Sequence, residues 1–328
     1  MNLRRRDLIL GAATPSSLAT STLRLPKLYR VPLGFQSGRL HEMDPSYEDG
    51  CLWFWGRGGP EVIRYDPATG QAERIEIPAP DAASAALLKL HFHPLSKNGK
   101  LHLTDLRQPT DRLPVYDIAS RRTSFHRLPQ GVGRLPVMLQ NGIVSRVSPN
   151  VYLFVADPPG LIIWDSARQE GEFTRYPAEA QGPWGGVESQ DGGTLWIPNP
   201  NDWALTRFDV RQRKWNGYWK SPFGKDSQPS AVGILGDVFY GPDLDEGRML
   251  RFDTRREKWL RAVTVPGRGQ VYGVLGGGAV YRGALYACLS TYRSYTPPGG
   301  PVGVDGKPYH FLDRYVCYEP RSRRLFSG

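Results

Sequence analysis

The sequence predicts an all-β fold, a six-bladed β-propeller of four-stranded antiparallel blades. Three observations lead there. An aromatic residue followed by an acid recurs six times, at Tyr65-Asp66, Tyr116-Asp117, Trp164-Asp165, Phe208-Asp209, Phe252-Asp253 and Tyr318-Glu319. The intervals of 51, 48, 44, 44 and 66 residues are near the length of one four-stranded blade. The 328 residues include 37 Gly, 29 Pro, 9 Trp, 16 Tyr and 12 Phe, a composition that supplies many turns and short aromatic-rich strands. Apolar residues at helical spacing are absent except over Ala82 to Leu88.

The chain begins with a targeting segment, residues 1–19. A cationic cluster, Arg4-Arg5-Arg6, precedes a short apolar stretch, and Ser17-Leu18-Ala19 offers a small-residue cleavage site. Arg5-Arg6-Asp7-Leu8-Ile9-Leu10 resembles the twin-arginine export signal of bacteria. The resemblance implies a protein folded before export and then periplasmic or secreted. Residues 20–328 then form a single domain. Leu28-Tyr29-Arg30-Val31-Pro32 reads as a fourth strand with no blade before it, so it is expected to pair into the last blade and close the ring.

Each repeat reads as four strands, a to d from the centre outward. A Gly-containing stretch comes first. An aliphatic–aromatic pair follows on the second strand, at Leu52-Trp53, Val151-Tyr152, Leu195-Trp196, Val238-Phe239 and Leu285-Tyr286. The second repeat has Leu101-His102 there, which makes His102 a core residue. The third strand ends in the aromatic–acid pair, whose Asp can accept backbone N–H bonds from the following turn. The fourth often ends in Pro, as at Ile77-Pro78, Leu128-Pro129, Tyr176-Pro177 and Val265-Pro266. Proline cannot donate to a ladder and marks a strand end or outer edge.

Gly182-Pro183-Trp184-Gly185-Gly186-Val187, Asp191-Gly192-Gly193-Thr194-Leu195-Trp196 and Leu205-Thr206-Arg207-Phe208-Asp209 together resemble a blade of the streptogramin B lyase and NHL-like propellers. The likeness is clear in the fourth repeat, weaker in the fifth and sixth, and faint in the second and third. The resemblance implies the propeller fold and a lyase-like or hydrolase-like activity. That lyase uses metal-binding glutamates with catalytic histidines in its later blades. The corresponding strands here, Val238-Phe239-Tyr240-Gly241-Pro242 and Leu285-Tyr286-Ala287-Cys288-Leu289, hold no Glu-x-His arrangement, so none of its catalytic residues carries over.

Ligand sites in a propeller sit where strand ends converge on the central channel. Aligning Pro45, Pro94 and Pro149 as strand-ending prolines places Glu42, His91 and Arg146 at equivalent positions on three inner strands. An acid, an imidazole and a guanidinium around a pore suit anion binding or acid–base chemistry, so these three are the candidate catalytic residues. His41, His93, Trp184 and Glu188 join them as candidate ligand-binding residues. So do Tyr295, Tyr309 and His310 of the long insertion from Tyr292 to His310, a candidate lid. The His91-x-His93 spacing puts both rings on one strand face, as metal ligands can be. That leaves a divalent metal open as cofactor without naming its ligand set. Asp243-Leu244-Asp245-Glu246 lacks a full calcium ligand set and reads as a solvated acidic turn.

Two function classes follow. The first is a small-ligand binding propeller with lyase or hydrolase chemistry at the channel mouth. The alternative is a non-catalytic scaffold or binding module for a protein or anionic polymer. Arg121, Arg122, Arg211, Arg213, Lys214, Arg255, Arg256, Lys258, Arg321, Arg323 and Arg324 fall in or beside the c–d turns, and are expected to give one face a basic field toward an anionic polymer or lipid surface. The formal charge is +10, or +8 without residues 1–19. Nucleic acid is not an expected partner, because an exported protein rarely meets it. No run approaches the roughly 18 apolar residues of a spanning helix. The three cysteines, Cys51, Cys288 and Cys317, have no metal-ligand spacing, and buried thiols are favoured over a Cys288–Cys317 bridge.

Overall fold

The computed structural model describes residues 40–327 apart from 46–47, 57–59, 67–68, 91, 107, 134, 178–184, 200–203, 224–232, 244–247, 265–277, 282–283, 290–313 and 320–323. The first sheet takes β1 (Leu40–Pro45), β2 (Leu52–Gly56), β3 (Glu61–Asp66) and β4 (Gln71–Glu76). Helix α1 (Ala82–Leu90) leads to the second, with β5 (His93–Lys97), β6 (Lys100–Thr104), β7 (Arg112–Asp117) and β8 (Arg122–Arg127). The third holds β9 (Leu139–Val144), β10 (Asn150–Val155), β11 (Gly160–Asp165) and β12 (Glu170–Arg175). The fourth holds β13 (Val187–Glu188), β14 (Thr194–Asn199), β15 (Ala204–Asp209) and β16 (Lys214–Lys220). The fifth holds β17 (Gly233–Leu235), β18 (Val238–Asp243), β19 (Arg248–Asp253) and β20 (Lys258–Thr264). The sixth holds β21 (Gly278–Tyr281), β22 (Ala284–Leu289), β23 (Arg314–Glu319) and β24 (Arg324–Ser327). Each sheet follows chain order, and every pairing is antiparallel.

Burial explains why the middle strands are apolar throughout while the outer ones alternate. Every residue of β10 from Val151 to Val155 and of β11 from Gly160 to Trp164 is buried. In β12 exposure alternates over the first four residues. A strand covered by sheets on both faces needs apolar side chains on both faces. Val151 and Leu153 pack with Leu95 and Val115 of the second sheet. The intervening Tyr152 and Phe154 pack with Leu195, Ile197 and Phe208 of the fourth. Trp53 and Val62 meet Leu101, Leu103 and Tyr116 across the first seam, and Trp196 and Leu205 meet Phe239 and Phe252 across the fourth. The first five sheets are thus stacked face to face in chain order, with β10 and β14 each feeding two cores.

The recurrent acid caps its turn. Ser120 N–H donates to Asp117 Oδ1 at 2.7 Å, Ala167 and Arg168 N–H to Asp165 at 2.8 and 3.0 Å, Gln212 N–H to Asp209 at 2.8 Å and Arg256 N–H to Asp253 at 2.8 Å. Four residues after each Asp the chain turns through positive φ, at Gly70, Arg121, Gln169, Arg213 and Glu257. Several of these residues reach back to the preceding sheet. Arg121 pairs with Glu73 at 3.0 Å, Arg213 pairs with Glu172, and Glu257 pairs with Arg207.

Helix α1 contributes more than its length suggested. Asp81 caps it through Ser84 N–H at 2.7 Å, and Leu88 is fully buried in the seam between the first two sheets. Cys288 faces Tyr315 while Cys317 faces Tyr286, so the two cysteines are diagonal neighbours. Diagonal positions lie about 7–8 Å apart, beyond the roughly 4.4–6.8 Å that a disulfide spans. Residues 1–19 and Leu28–Pro32 lie outside the described residues. No helix among the described residues is long and apolar enough to cross a membrane.

Candidate functional site

Strand register decides which inner-strand residues share a level. Glu42 pairs with Trp55, the fourth residue of β2 counted from Leu52. The matching residue of the second sheet, counted from Leu101, is Thr104, and its partner is His93. In the third sheet Leu153 pairs with Gly142 and Val155 with Leu139, so Gln140 and Asn141 together face Phe154. Glu42, His93 and the Gln140–Asn141 pair therefore stand level on β1, β5 and β9. These three strands are neighbours in that order.

This level differs from the one that proline alignment predicts. Pro45 is the last residue of β1, Pro94 is the second of β5, and Pro149 lies in the turn beyond β9. The turns joining the first two strands of each sheet cover residues 46–51, 98–99 and 145–149, so a count that starts from a turn residue slips between repeats. Proline is tolerated at either end of a strand and does not mark the same end each time. His91 precedes β5 and lies outside the described residues. Arg146 lies two residues past the end of β9, toward the opposite end of the strands from Glu42.

Two of the level positions are bulged. The register of β1 against β2 shifts between Leu40 and Glu42, leaving His41 as the extra residue. The register of β9 against β10 shifts at Gln140–Asn141. A bulge bends its strand and re-aims a side chain, and bulges gather beside functional sites. His93 is buried, and its backbone carbonyl accepts from the Thr104 hydroxyl at 3.3 Å. Gln140 Oε1 is buried with no hydrogen-bond partner. The backbone thus brings Glu42, His93, Gln140 and Asn141 to one level. Gln140 and Asn141 were missed from sequence. Counting from the aliphatic–aromatic pair of the second strand would have found them.

Glu188 belongs to the other end. It pairs with Leu195, the first residue of its aliphatic–aromatic pair, three residues from the Glu42 level and so about 10 Å along the strand. The side chain is 2% exposed. Ser145 Oγ donates to its Oε1 at 2.6 Å and Arg146 N–H to its Oε2 at 2.7 Å. Arg146 thus serves Glu188 through its main chain, and its own side chain is exposed. Ser145 O in turn accepts from Lys97 Nζ at 3.0 Å, and Lys97 pairs with Glu48 at 3.2 Å. A polar belt therefore links the first four sheets at their turn ends. Burial pushes the Tyr152 phenol up, and Glu188 adds to the effect.

In the second, fourth and fifth sheets the charges at the c–d turns are close to balanced, while Arg321 and Arg323 lie outside the described residues. In the second, fourth and fifth sheets the eight cations expected to form a basic field meet Asp117, Asp209, Asp253, Glu257, Glu73, Glu172 and Asp191. Arg121, Arg211, Arg213 and Arg256 are in ion pairs with four of these acids. Residues 1–39 hold seven cations and one acid, which leaves +4 of the +10 to the rest of the chain. Position rather than composition limits the field, because each turn brings its own capping Asp.

Among the described residues no three His, Cys, Asp or Glu side chains gather as a metal site. Trp184, Tyr295, Tyr309, His310 and the Asp245–Glu246 turn lie outside the described residues, and His41 and Glu42 are described only by their backbone placement.

Neither protein-family models nor curated proteins match the sequence. Solved structures do. A streptogramin B lyase structure superposes with a TM-score of 0.61 at 12% identity, over 88% of this chain and 82% of that one. Virginiamycin B lyase from Staphylococcus aureus gives 0.59 at 12% identity, over 90% and 86%. The extracellular domain of a one-component system from B. thetaiotaomicron gives 0.58 at 11% identity, over 89% of this chain and 36% of that one. At such identities the likeness is one of fold: the chain is folded as a β-propeller of the kind seen in those lyases.

Proposed function

We propose that this chain is an exported, six-bladed propeller that binds a small polar ligand at one mouth of its channel. Glu42, His93, Gln140 and Asn141 surround that ligand, with His41 and His91 beside them. In this reading Trp184, Tyr295, Tyr309 and His310 approach from the loops at the same end, and Leu28–Pro32 closes the ring along the outer edge of β24. The observation that carries the reading is the shared level of an acid, an imidazole and two amides on three adjacent inner strands, two of them bulged there. A carboxylate beside an imidazole can pass a proton to or from a bound substrate, which suits lyase or hydrolase chemistry. A divalent cation held by His41, Glu42 and His93 is compatible with that chemistry, because imidazole and carboxylate are common ligands for such ions.

The test is a thermal-shift screen of small polar compounds, including quinupristin, which was solved with a catalytically inactive virginiamycin B lyase. Every hit is followed by calorimetry on the wild type, His93→Ala and Glu42→Gln. A ligand bound by the wild type and lost at least tenfold in both folded variants supports the site. Equal binding by all three places the ligand elsewhere and overturns the reading.

A further inference from the structure

The seam between the second and third sheets is lined by Leu95, Leu113, Val115, Val151, Leu153, Ile162 and Trp164, and it also contains His102. Leu95, His102, Val115 and Ser124 are direct cross-strand partners, so they share one sheet face. Leu95 and Val115 of that row pack on the third sheet, and His102 lies between them. Repeats one, three, four, five and six carry Trp53, Tyr152, Trp196, Phe239 and Tyr286 at this position. Here a titratable ring takes the place of an aromatic.

The ring is fully buried. Its Nδ1 lies 3.2 Å from Leu95 O. A carbonyl only accepts, so Nδ1 carries the hydrogen and Nε2 is a bare acceptor. That Nε2 has no hydrogen-bond partner, and neither does Trp164 Nε1, also buried. The charged groups acting on the ring are Lys100, from its own strand, and His126 of β8, whose ring meets Trp164 edge-on at 6.2 Å. Lys97, on the same face as Leu95, is held by Glu48. From the third sheet, Ser166 and Ser145 offer Lys100 and Lys97 only backbone carbonyl oxygens. No carboxylate acts on the ring to balance a second proton.

We propose that this seam is an acid-operated joint: protonation of His102 Nε2 separates the second sheet from the third while the other sheets stay stacked. An imidazolium without a hydrogen-bond partner cannot remain in an apolar seam and must reach water. Polar bonds tie the two sheets at both ends of the seam: Asn98 and Lys100 to Ser166 and Lys97 to Ser145 at the turn end, and the paired backbone bonds of Thr110 with Val137, just before β9, at the other. The His102 level lies between these two ends, where apolar packing holds the seam. Burial pushes the ring down to about 4, and Lys100 and His126 act in the same direction. The closed joint therefore binds the proton less well than the open one. Closure is fully favoured above the ordinary pKa of about 6.5 and weakens as pH falls toward 4. The open fraction rises by up to about tenfold per pH unit inside that window, and by about 80-fold between pH 6.5 and 4.

Hydrogen–deuterium exchange at pH 7, 6, 5 and 4.5, corrected for intrinsic rates, tests this. Protection in β6, β10 and β11 should fall about threefold from pH 7 to 6 and about sevenfold from pH 6 to 5, while β14 and β15 stay protected. His102→Phe restores the aromatic of the other repeats. His102→Asn keeps a donor for Leu95 O without titrating. Either folded variant should abolish the pH dependence. The proposal is overturned if wild-type protection does not change with pH, or if all sheets lose protection together. It is equally overturned if either folded variant retains the wild-type profile, or if His126→Gln removes it with His102 intact.

Discussion

Glu188 is accommodated inside the protein because both its oxygens meet donors from the neighbouring sheet. A hydrogen bond to a charged group is worth about 1.5–3 kcal/mol, and an unpaired buried carboxylate would cost more. The same residue type at Glu42 stands at the other end of the strands, level with His93, where the ligand site is proposed. The two glutamates should therefore separate cleanly on substitution. Glu188→Gln puts an amide donor opposite the Ser145 hydroxyl or the Arg146 N–H. It should lower unfolding free energy by about 2–3 kcal/mol in urea titration and leave ligand affinity unchanged in calorimetry. A stable Glu188→Gln protein that has lost ligand binding would assign Glu188 to the site instead.

Among elements, the c–d hairpin is the unit that repeats. Its Asp gathers the turn N–H groups, its fifth residue goes through positive φ, and several of those residues pair with the sheet before. Gly70 fills the positive-φ position in the first sheet, at φ +73 with nothing within 4 Å of an added Cβ. Gly70→Ala should then cost about 1 kcal/mol, from backbone conformation alone. Gly142 presents the opposite case. Its φ is ordinary, but an added Cβ would lie 2.7 Å from Tyr152 O and 2.5 Å from Leu95 Cδ1. The backbone oxygen cannot yield cheaply, so Gly142→Ala should cost more, about 2–3 kcal/mol, within the range for overpacked cores. Thermal unfolding of the two variants side by side measures both, and equal losses would contradict the distinction.

For the whole molecule, the question is how stacked sheets avoid an open edge. The sixth sheet already has four strands, and its outermost, β24, spans only Arg324–Ser327. A strand at Leu28–Pro32 would add beyond it and cover that edge. On the proposed reading the N-terminal residues divide into an export segment and a closing strand. Exported protein should begin at Thr20, as read by intact mass, and should melt at the same temperature as the full chain. A chain beginning at Phe35 should lose about 2–4 kcal/mol, the burial of Leu28, Tyr29 and Val31 together with their ladder bonds. Identical melting temperatures for the two shortened chains would rule out closure by this strand. Full-length protein recovered outside the cytoplasm would rule out cleavage.

The sequence by itself determined the repeat, the strand types and the seams. Those features are local: an aromatic–acid pair, a turn and an apolar run each act within about ten residues, and His102 could be assigned to the core because it replaced an aromatic in a repeated slot. The level of the channel residues was not legible in the same way. Glu42, His91 and Arg146 were aligned on prolines, and the turns between first and second strands differ in length, so the count slipped. A two-residue bulge in β9 then brought Gln140 and Asn141 to the level of Glu42 and His93. The partners of Glu188 and the carboxylates that offset the c–d turn cations likewise come from neighbouring sheets tens of residues away. Only the tertiary structure decided them, because strand register and sheet stacking depend on pairing between segments that no local pattern connects.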